Sequence, residues 1–272
     1  MNALLPPHRL IAAIGLSLAA ALATAQTKPF EPQVGQQGKD VVWVPTSQAL
    51  VDKMLDMAKV TPSDFVMDLG SGDGRTVITA AKRGARAMGI EYNPDMVELS
   101  KRNAAKEGVA ERAEFVKADL FESDLSKANV ITMFLLPSIN LKLKPKILDL
   151  RPGTRVVSNS FDMGDWRPDQ TDEAVDKCTS YCRAHFWIVP AKVEGTWKLP
   201  DGGSLRLNQT YQWIDGELRT GNSTLTIFDG KVIGDQISFV AGDSRYTGRV
   251  NGNAMSGEVK GGSGGKWSAT KK

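Results

Sequence analysis

Apolar positions recur at helical spacing early in the chain. Leu50, Val51, Met54, Leu55 and Ala58 fall on one face, with Thr46 or Ser47 ahead of them as a cap. The pattern predicts a helix to about Lys59, ended by Thr61-Pro62-Ser63. Short apolar runs then alternate with longer amphipathic ones. Strands are expected at Phe65 to Leu69, Ala87 to Glu91, Ala113 to Lys117, Val130 to Leu136, Arg155 to Ser158 and Ala184 to Pro190. Helices are expected at Arg75 to Arg83, stopped by Gly84, and from Asn93 to Gly108, with Pro94 in its first position. A further helix is expected at Asn140 to Leu150, kinked by Pro145. Strands separated by helices at this rhythm predict an α/β domain, a doubly wound and mostly parallel sheet with helices on both faces.

The period changes after Pro190. Leu205, Leu207, Gln209, Tyr211 and Trp213 alternate, as do Leu225 and Ile227, then Ile237 and Phe239. Asp201-Gly202, Asp215-Gly216, Asp229-Gly230 and Asn251-Gly252 punctuate these runs as turns. Six to eight strands in an all-β antiparallel meander or small barrel are expected over residues 195–272. Trp197, Tyr211, Trp213, Tyr246 and Trp267 are read as its core. The boundary falls near Ala191 to Glu194, so the α/β domain spans 44–190.

The beginning of the chain reads differently. Arg9 is followed by an apolar stretch from Leu10 to Ala23 and the small-x-small triplet Ala23-Thr24-Ala25. That is the pattern of a secretory signal peptide over residues 1–25, with cleavage after Ala25. The stretch is shorter than the ~20 residues that span a bilayer, so no stable membrane span is expected after cleavage. Residues 26–43 are polar with Pro and Gly and read as a flexible lead-in. A periplasmic or secreted protein follows as the expectation.

Composition narrows the chemistry. The 272 residues carry a net charge of +3 and no long basic run, so charge gives nucleic-acid binding little support. Beyond the leader His185 stands alone, which excludes a multi-histidine metal centre, and no Gly-x-Ser-x-Gly elbow is present. Cys178 and Cys182 are near enough to bridge in a helical turn and too far apart along an extended strand. An oxidising compartment permits that bridge, and the pairing stays open. With His185 the two cysteines make three soft ligands without a fourth, so no metal is expected.

The stretch Val66-Met67-Asp68-Leu69-Gly70-Ser71-Gly72-Asp73-Gly74 is the most informative. A glycine-rich turn between strand and helix lets a ligand approach the backbone, at the sheet edge where nucleotides bind. Glu91 ends the second strand 19 residues after Gly72, where a carboxylate can accept from both hydroxyls of a ribose. The turn is Gly-x-Gly-x-Gly rather than the dinucleotide Gly-x-Gly-x-x-Gly, and no phosphate loop is present. Asp68 would repel a pyrophosphate and suit an ammonium. A ribose, an ammonium and no phosphate describe S-adenosylmethionine.

These residues, with Gly89-Ile90-Glu91-Tyr92-Asn93 and Ala118-Asp119-Leu120, resemble the class I S-adenosylmethionine-dependent methyltransferases over Val44 to Val189. The resemblance implies a seven-stranded Rossmann-like sheet. It implies that Asp68, Gly70 and Gly72 hold the methionine end, Glu91 the ribose, and Asp119 and Leu120 flank the adenine, with Ser71, Gly74 and Tyr92 completing the cofactor set. Phe134-Leu135-Leu136-Pro137-Ser138-Ile139-Asn140 lacks the Asn/Asp-Pro-Pro-Tyr signature of amino-directed nucleic-acid methyltransferases. With Val44-Pro45-Thr46 it looks more like the small protein-lysine methyltransferases related to the enzyme that modifies the mitochondrial ATP synthase.

The expected activity is methyl transfer from S-adenosylmethionine to an unidentified acceptor, for which a protein lysine is a candidate. No residue must act as a base; Ser138, Asn140 and Tyr92 are candidates by position. Trp43 and Tyr92 read as packing residues rather than substrate contacts. The competing expectation is an exported, non-catalytic methyltransferase-like scaffold or binding protein acting through its β-domain, because an exported enzyme has no obvious donor supply.

Overall fold

The structure, a computed structural model, describes residues 1, 30–262 and 264–272. Apart from Met1, the leader expected over residues 1–25 lies outside the described residues.

The α/β domain is built in the order α1 (Gln48–Met57), β1 (Phe65–Leu69), α2 (Arg75–Lys82), β2 (Arg86–Glu91), α3 (Pro94–Lys106), β3 (Ala113–Lys117), β4 (Val130–Met133), α4 (Pro137–Leu148), β5 (Arg155–Asn159), β6 (Gln170–Glu173) and β7 (Arg183–Ile188). The sheet order is β3-β2-β1-β4-β5-β7-β6. The first five strands are parallel, and β7 runs antiparallel to both β5 and β6. The expected seven-stranded, mostly parallel sheet is therefore present. The chain winds from β1 through β2 to β3 on one side and crosses to β4 and β5 on the other, which puts the switch point at the carboxyl ends of β1 and β4, where open α/β sheets bind ligands.

Local chemistry sets the helix boundaries. Ser47 caps α1, its hydroxyl accepting from the Leu50 amide at 3.3 Å. Asn93 caps α3 by accepting from the Asp95 amide at 2.9 Å, with Pro94 in the first position. Pro137 likewise opens α4, three residues earlier than the pattern at Asn140 suggested, and shortens β4 to Met133. The helices α1, α2 and α3 pack with Val66, Ala87, Val130 and Val157 on one face of the sheet. On the other face, Ile139, Leu143 and Ile147 of α4 pack with Met67, Ile131, Val156, Trp166 and Trp187.

Strands β8 (Gly195–Lys198), β9 (Ser204–Thr210), β10 (Trp213–Thr220), β11 (Ser223–Ile233), β12 (Gln236–Ala241), β13 (Ser244–Asn251), β14 (Ala254–Lys260) and β15 (Gly265–Lys271) close into an antiparallel barrel. The closing pair, β15 with β8, joins at Thr270 and Lys271. Trp197 is fully buried and donates to the Val193 carbonyl at 2.8 Å. Phe239, Tyr246 and Trp267 pack ring on ring inside, with centroids 4.8–5.9 Å apart.

Two aromatics expected in that core lie elsewhere. Tyr211 stands in the turn between β9 and β10 and stacks on Trp166 of the α/β domain, with centroids 6.0 Å apart. Trp213 is half exposed, under the Lys231 ammonium. The positive φ of Tyr211 breaks the alternation at this turn, so the sequence period does not carry through it. The same turn joins the domains. The fully buried Gln212 donates to the Arg167 carbonyl at 2.8 Å, and Lys144 reaches the Tyr211 hydroxyl at 3.3 Å; from β11, Lys231 adds an ion pair with Asp169 at 3.1 Å.

Cys178 and Cys182 form a disulfide with Cα atoms 5.7 Å apart. It closes a turn between β6 and β7 rather than a helical turn, through positive φ at Lys177 and Tyr181.

Candidate functional site

A cavity of about 380 Å³ opens at the carboxyl ends of β1, β2 and β4. Its floor is the turn after β1. Gly70 and Ser71 donate their amides to the Ile90 carbonyl, which folds the turn back against the end of β2. Gly72 has φ +54°, and a Cβ there would lie 2.8 Å from Trp43 Nε1. Gly89, on β2, has no side chain because a Cβ would meet Ser71 Oγ at 2.5 Å.

Asp68 is the buried charge of this floor. One carboxylate oxygen accepts from Thr132 at 2.6 Å, across the register that pairs the two residues on β1 and β4. Burial, with Asp73 and Glu91 nearby, pushes its pKa up to about 7. A cationic partner is what such a carboxyl lacks. Ser71 Oγ is buried and has no hydrogen-bond partner. Glu91 is held from behind, its oxygens accepting from the Gly72 amide at 3.0 Å and the Asn93 amide at 2.9 Å. A carboxylate has about four acceptor sites, so two remain for hydroxyl donors.

The lead-in expected to be flexible has a place over this floor. Gln37 and Val42 form an antiparallel bridge, Trp43 exchanges backbone bonds with Gly35 and Gln36, and the segment lines the cavity to Thr46. Thr46 anchors it by accepting from Asn159 at 3.1 Å. Lys39 pairs with Asp119 at 2.7 Å and sits 4.3 Å over the Tyr92 ring. That ion pair holds the Asp119 carboxyl below its ordinary range. Arg75 is taken up by the Asp73 carboxylate and the Thr46 carbonyl.

The structure gathers Asp68, Gly70, Ser71, Gly72, Glu91, Tyr92, Asp119 and Leu120 around one cavity. Gly74 does not line it. It caps α2 and abuts Phe115 and Ser100. Asn140 is buried away from it, donating to Ser158 and to the carbonyls of Phe161 and Asp162. Ser138 is exposed on α4 and also outside the lining. Trp43 and Tyr92, read as packing residues, are both cavity walls. Thr132, Lys39, Phe161 and Tyr181 carry no sequence signal that assigns them to the site, with one exception. A polar residue inside an apolar strand is the available signal for Thr132; the others lie in loops without periodicity.

A buried acid on the floor, a carboxylate at the end of β2 and a glycine turn at the switch point are the arrangement expected of the class I S-adenosylmethionine-dependent methyltransferases. Known proteins that resemble the chain agree. The ANTKMT methyltransferase domain family matches residues 68–170. A protein-lysine N-methyltransferase of Saccharolobus islandicus is 46% identical over 139 residues, 50% of this chain and 86% of that protein. The adenine nucleotide translocase lysine N-methyltransferase of Mus musculus is 35% identical over 144 residues, 52% of this chain and 62% of its own. A crystal structure described as an RNA methyltransferase from Salinibacter ruber with S-adenosyl-L-homocysteine is 47% identical, with a TM-score of 0.52, over 55% of this chain and 96% of its own. The chain belongs to the S-adenosylmethionine-dependent methyltransferase family. These matches cover about half of it and so speak for the α/β domain.

Proposed function

We propose that the protein holds S-adenosylmethionine in this cavity and methylates a lysine of a protein outside the cytoplasm. The observation that carries the reading is the buried Asp68 carboxyl beside the orphaned Ser71 hydroxyl, at the foot of a cavity whose upper wall is aromatic. When bound, S-adenosylmethionine supplies a methyl group activated by its sulfonium. Asp68 would hold the ammonium, Ser71 would gain the partner it lacks, and Glu91 would take the ribose hydroxyls. The glycine turn keeps room for the ligand, and Trp43 covers it. Orientation of this kind contributes ~7–11 kcal/mol to a two-reactant step.

Protein is favoured over RNA as acceptor by the charge at the cavity. Lys39 and Arg75, the basic side chains of its lining, are neutralised by Asp119 and Asp73. Phosphate recognition needs free cations. The exposed side chains of Val42, Tyr92, Leu136 and Tyr181 instead give the opening an apolar rim. The names of the lysine methyltransferase relatives support the same choice. The leader pattern and the Cys178–Cys182 bridge support an oxidising, periplasmic location.

Incubating the purified protein with methyl-labelled donor and separate periplasmic protein and RNA fractions tests the acceptor. Label on ε-methyl-lysine, lost with Asp68→Asn, is expected. Label confined to RNA would overturn the protein reading.

A further inference from the structure

Three aromatic rings on three separate loops meet in the cavity wall. Phe134 follows β4, Phe161 follows β5, and Tyr181 lies between β6 and β7. The Phe134 and Tyr181 centroids are 5.2 Å apart, Phe161 and Tyr181 6.2 Å, and Phe134 and Phe161 6.1 Å. Burial does not explain the place of Tyr181. Tyr181 is half exposed, and its φ of +54° is one that non-glycine residues seldom adopt. The Cys178–Cys182 bridge encloses Tyr181 in a closed loop of five residues, with Lys177 just outside it also at positive φ. The covalent tie thus holds one ring of the cavity wall at the end of an otherwise exposed turn.

We infer that Tyr181, pinned by the Cys178–Cys182 disulfide, forms with Phe134 and Phe161 the wall that receives the acceptor's alkylamine side chain, and that Tyr181 is a specificity-determining residue. This rests on reading the cavity as a methyl-transfer site. Aromatic faces attract a cation, more strongly where water is excluded. The rings attract the alkylammonium that enters, which must give up its proton before it accepts a methyl group. The same faces suit a methylated ammonium. A wall of this kind therefore selects a lysyl side chain over a hydroxyl or a carboxylate. The disulfide acts at one remove, as a positioning element.

The test uses the full chain saturated with S-adenosylhomocysteine. N-α-acetyl-lysine methylamide and its ε-trimethyl form are titrated in by calorimetry. Wild type is expected to bind the trimethyl form the more tightly. Tyr181→Asn, which tolerates the left-handed backbone, should weaken both probes about tenfold. Tyr181→Phe should restore them to within about twofold. The double variant Cys178→Ser/Cys182→Ser should match Tyr181→Asn. Each variant is first titrated with S-adenosylhomocysteine and then saturated with it, so that the loss of probe affinity is read on the loaded protein. Wild-type probe affinity in Tyr181→Asn or in the double variant would overturn the inference, as would a wild type that binds S-adenosylhomocysteine and neither probe. Failure of wild type to bind S-adenosylhomocysteine would remove the methyl-transfer reading, and this inference with it.

Discussion

Asp68 places an acid at the buried floor of the cavity, and its titration has two consequences of opposite sense. Its pKa rises from 3.8 in the unfolded chain to about 7 in the folded, ligand-free protein. The folded state therefore holds more protons between those values, and its stability falls as pH rises from about 4 to about 7. Asp68→Asn is expected to flatten that slope, checked by urea unfolding at pH 5 and pH 8. An ammonium ligand favours the ionised acid, so affinity should rise with pH across the same upper limit. Calorimetry of S-adenosylhomocysteine at pH 6 and pH 8 is expected to show tighter binding at pH 8, with proton release at the lower pH. Gly72→Ala brings a Cβ against Trp43 at a φ that costs a side chain ~1–2 kcal/mol. It is expected to displace the Trp43 cover and weaken S-adenosylhomocysteine about tenfold or more. Asp68, Glu91 and the glycine turn are legible in the sequence because strand, turn and motif are contiguous in the chain. Tyr181 is not, and Thr132 is marked only by its polarity inside an apolar strand, because the order β1-β4-β5-β7 brings both in from distant segments.

Among the elements, β6 shows the limit of the hydrophobic pattern. Gln170–Glu173 is a polar edge strand whose residues are mostly exposed, so it leaves no apolar signature, and only its pairing with β7 defines it. The alternating runs of the barrel predict its strands, yet the β9–β10 turn reverses the assignment of Tyr211 and Trp213. That turn is a docking element, and its energetics are local. Gln212→Ala removes a buried amide and leaves the Arg167 carbonyl without its donor, at a cost of about 1–3 kcal/mol. A lowered thermal midpoint is expected, with S-adenosylhomocysteine affinity unchanged. Trp197→Ala opens the barrel core and should cost ~3–5 kcal/mol, read as selective loss of the barrel transition in calorimetry.

At the scale of the whole molecule, the two architectures divide the labour. Among the described residues the walls of the cavity at β1, β2 and β4 come from residues 36–181, and the barrel meets the α/β domain at Trp166, Arg167, Asp169, α4 and Gly153. The change of period near Pro190 marks that division in the sequence, but the surface through which the halves join is not readable there, since it is assembled from the β9–β10 turn with its buried glutamine and from β11 and the turn after it. A ligand of the α/β domain present at a hundred times its Kd adds ~2.7 kcal/mol to the state that binds it. S-adenosylhomocysteine should therefore raise the thermal midpoint of the α/β domain. The most direct test is calorimetric titration of S-adenosylhomocysteine into wild type, Asp68→Asn and Glu91→Ala. Micromolar binding by wild type, lost or weakened at least tenfold in both variants, is the predicted result. A folded wild type that gives no binding heat, or variants that bind as tightly as wild type, would contradict the account.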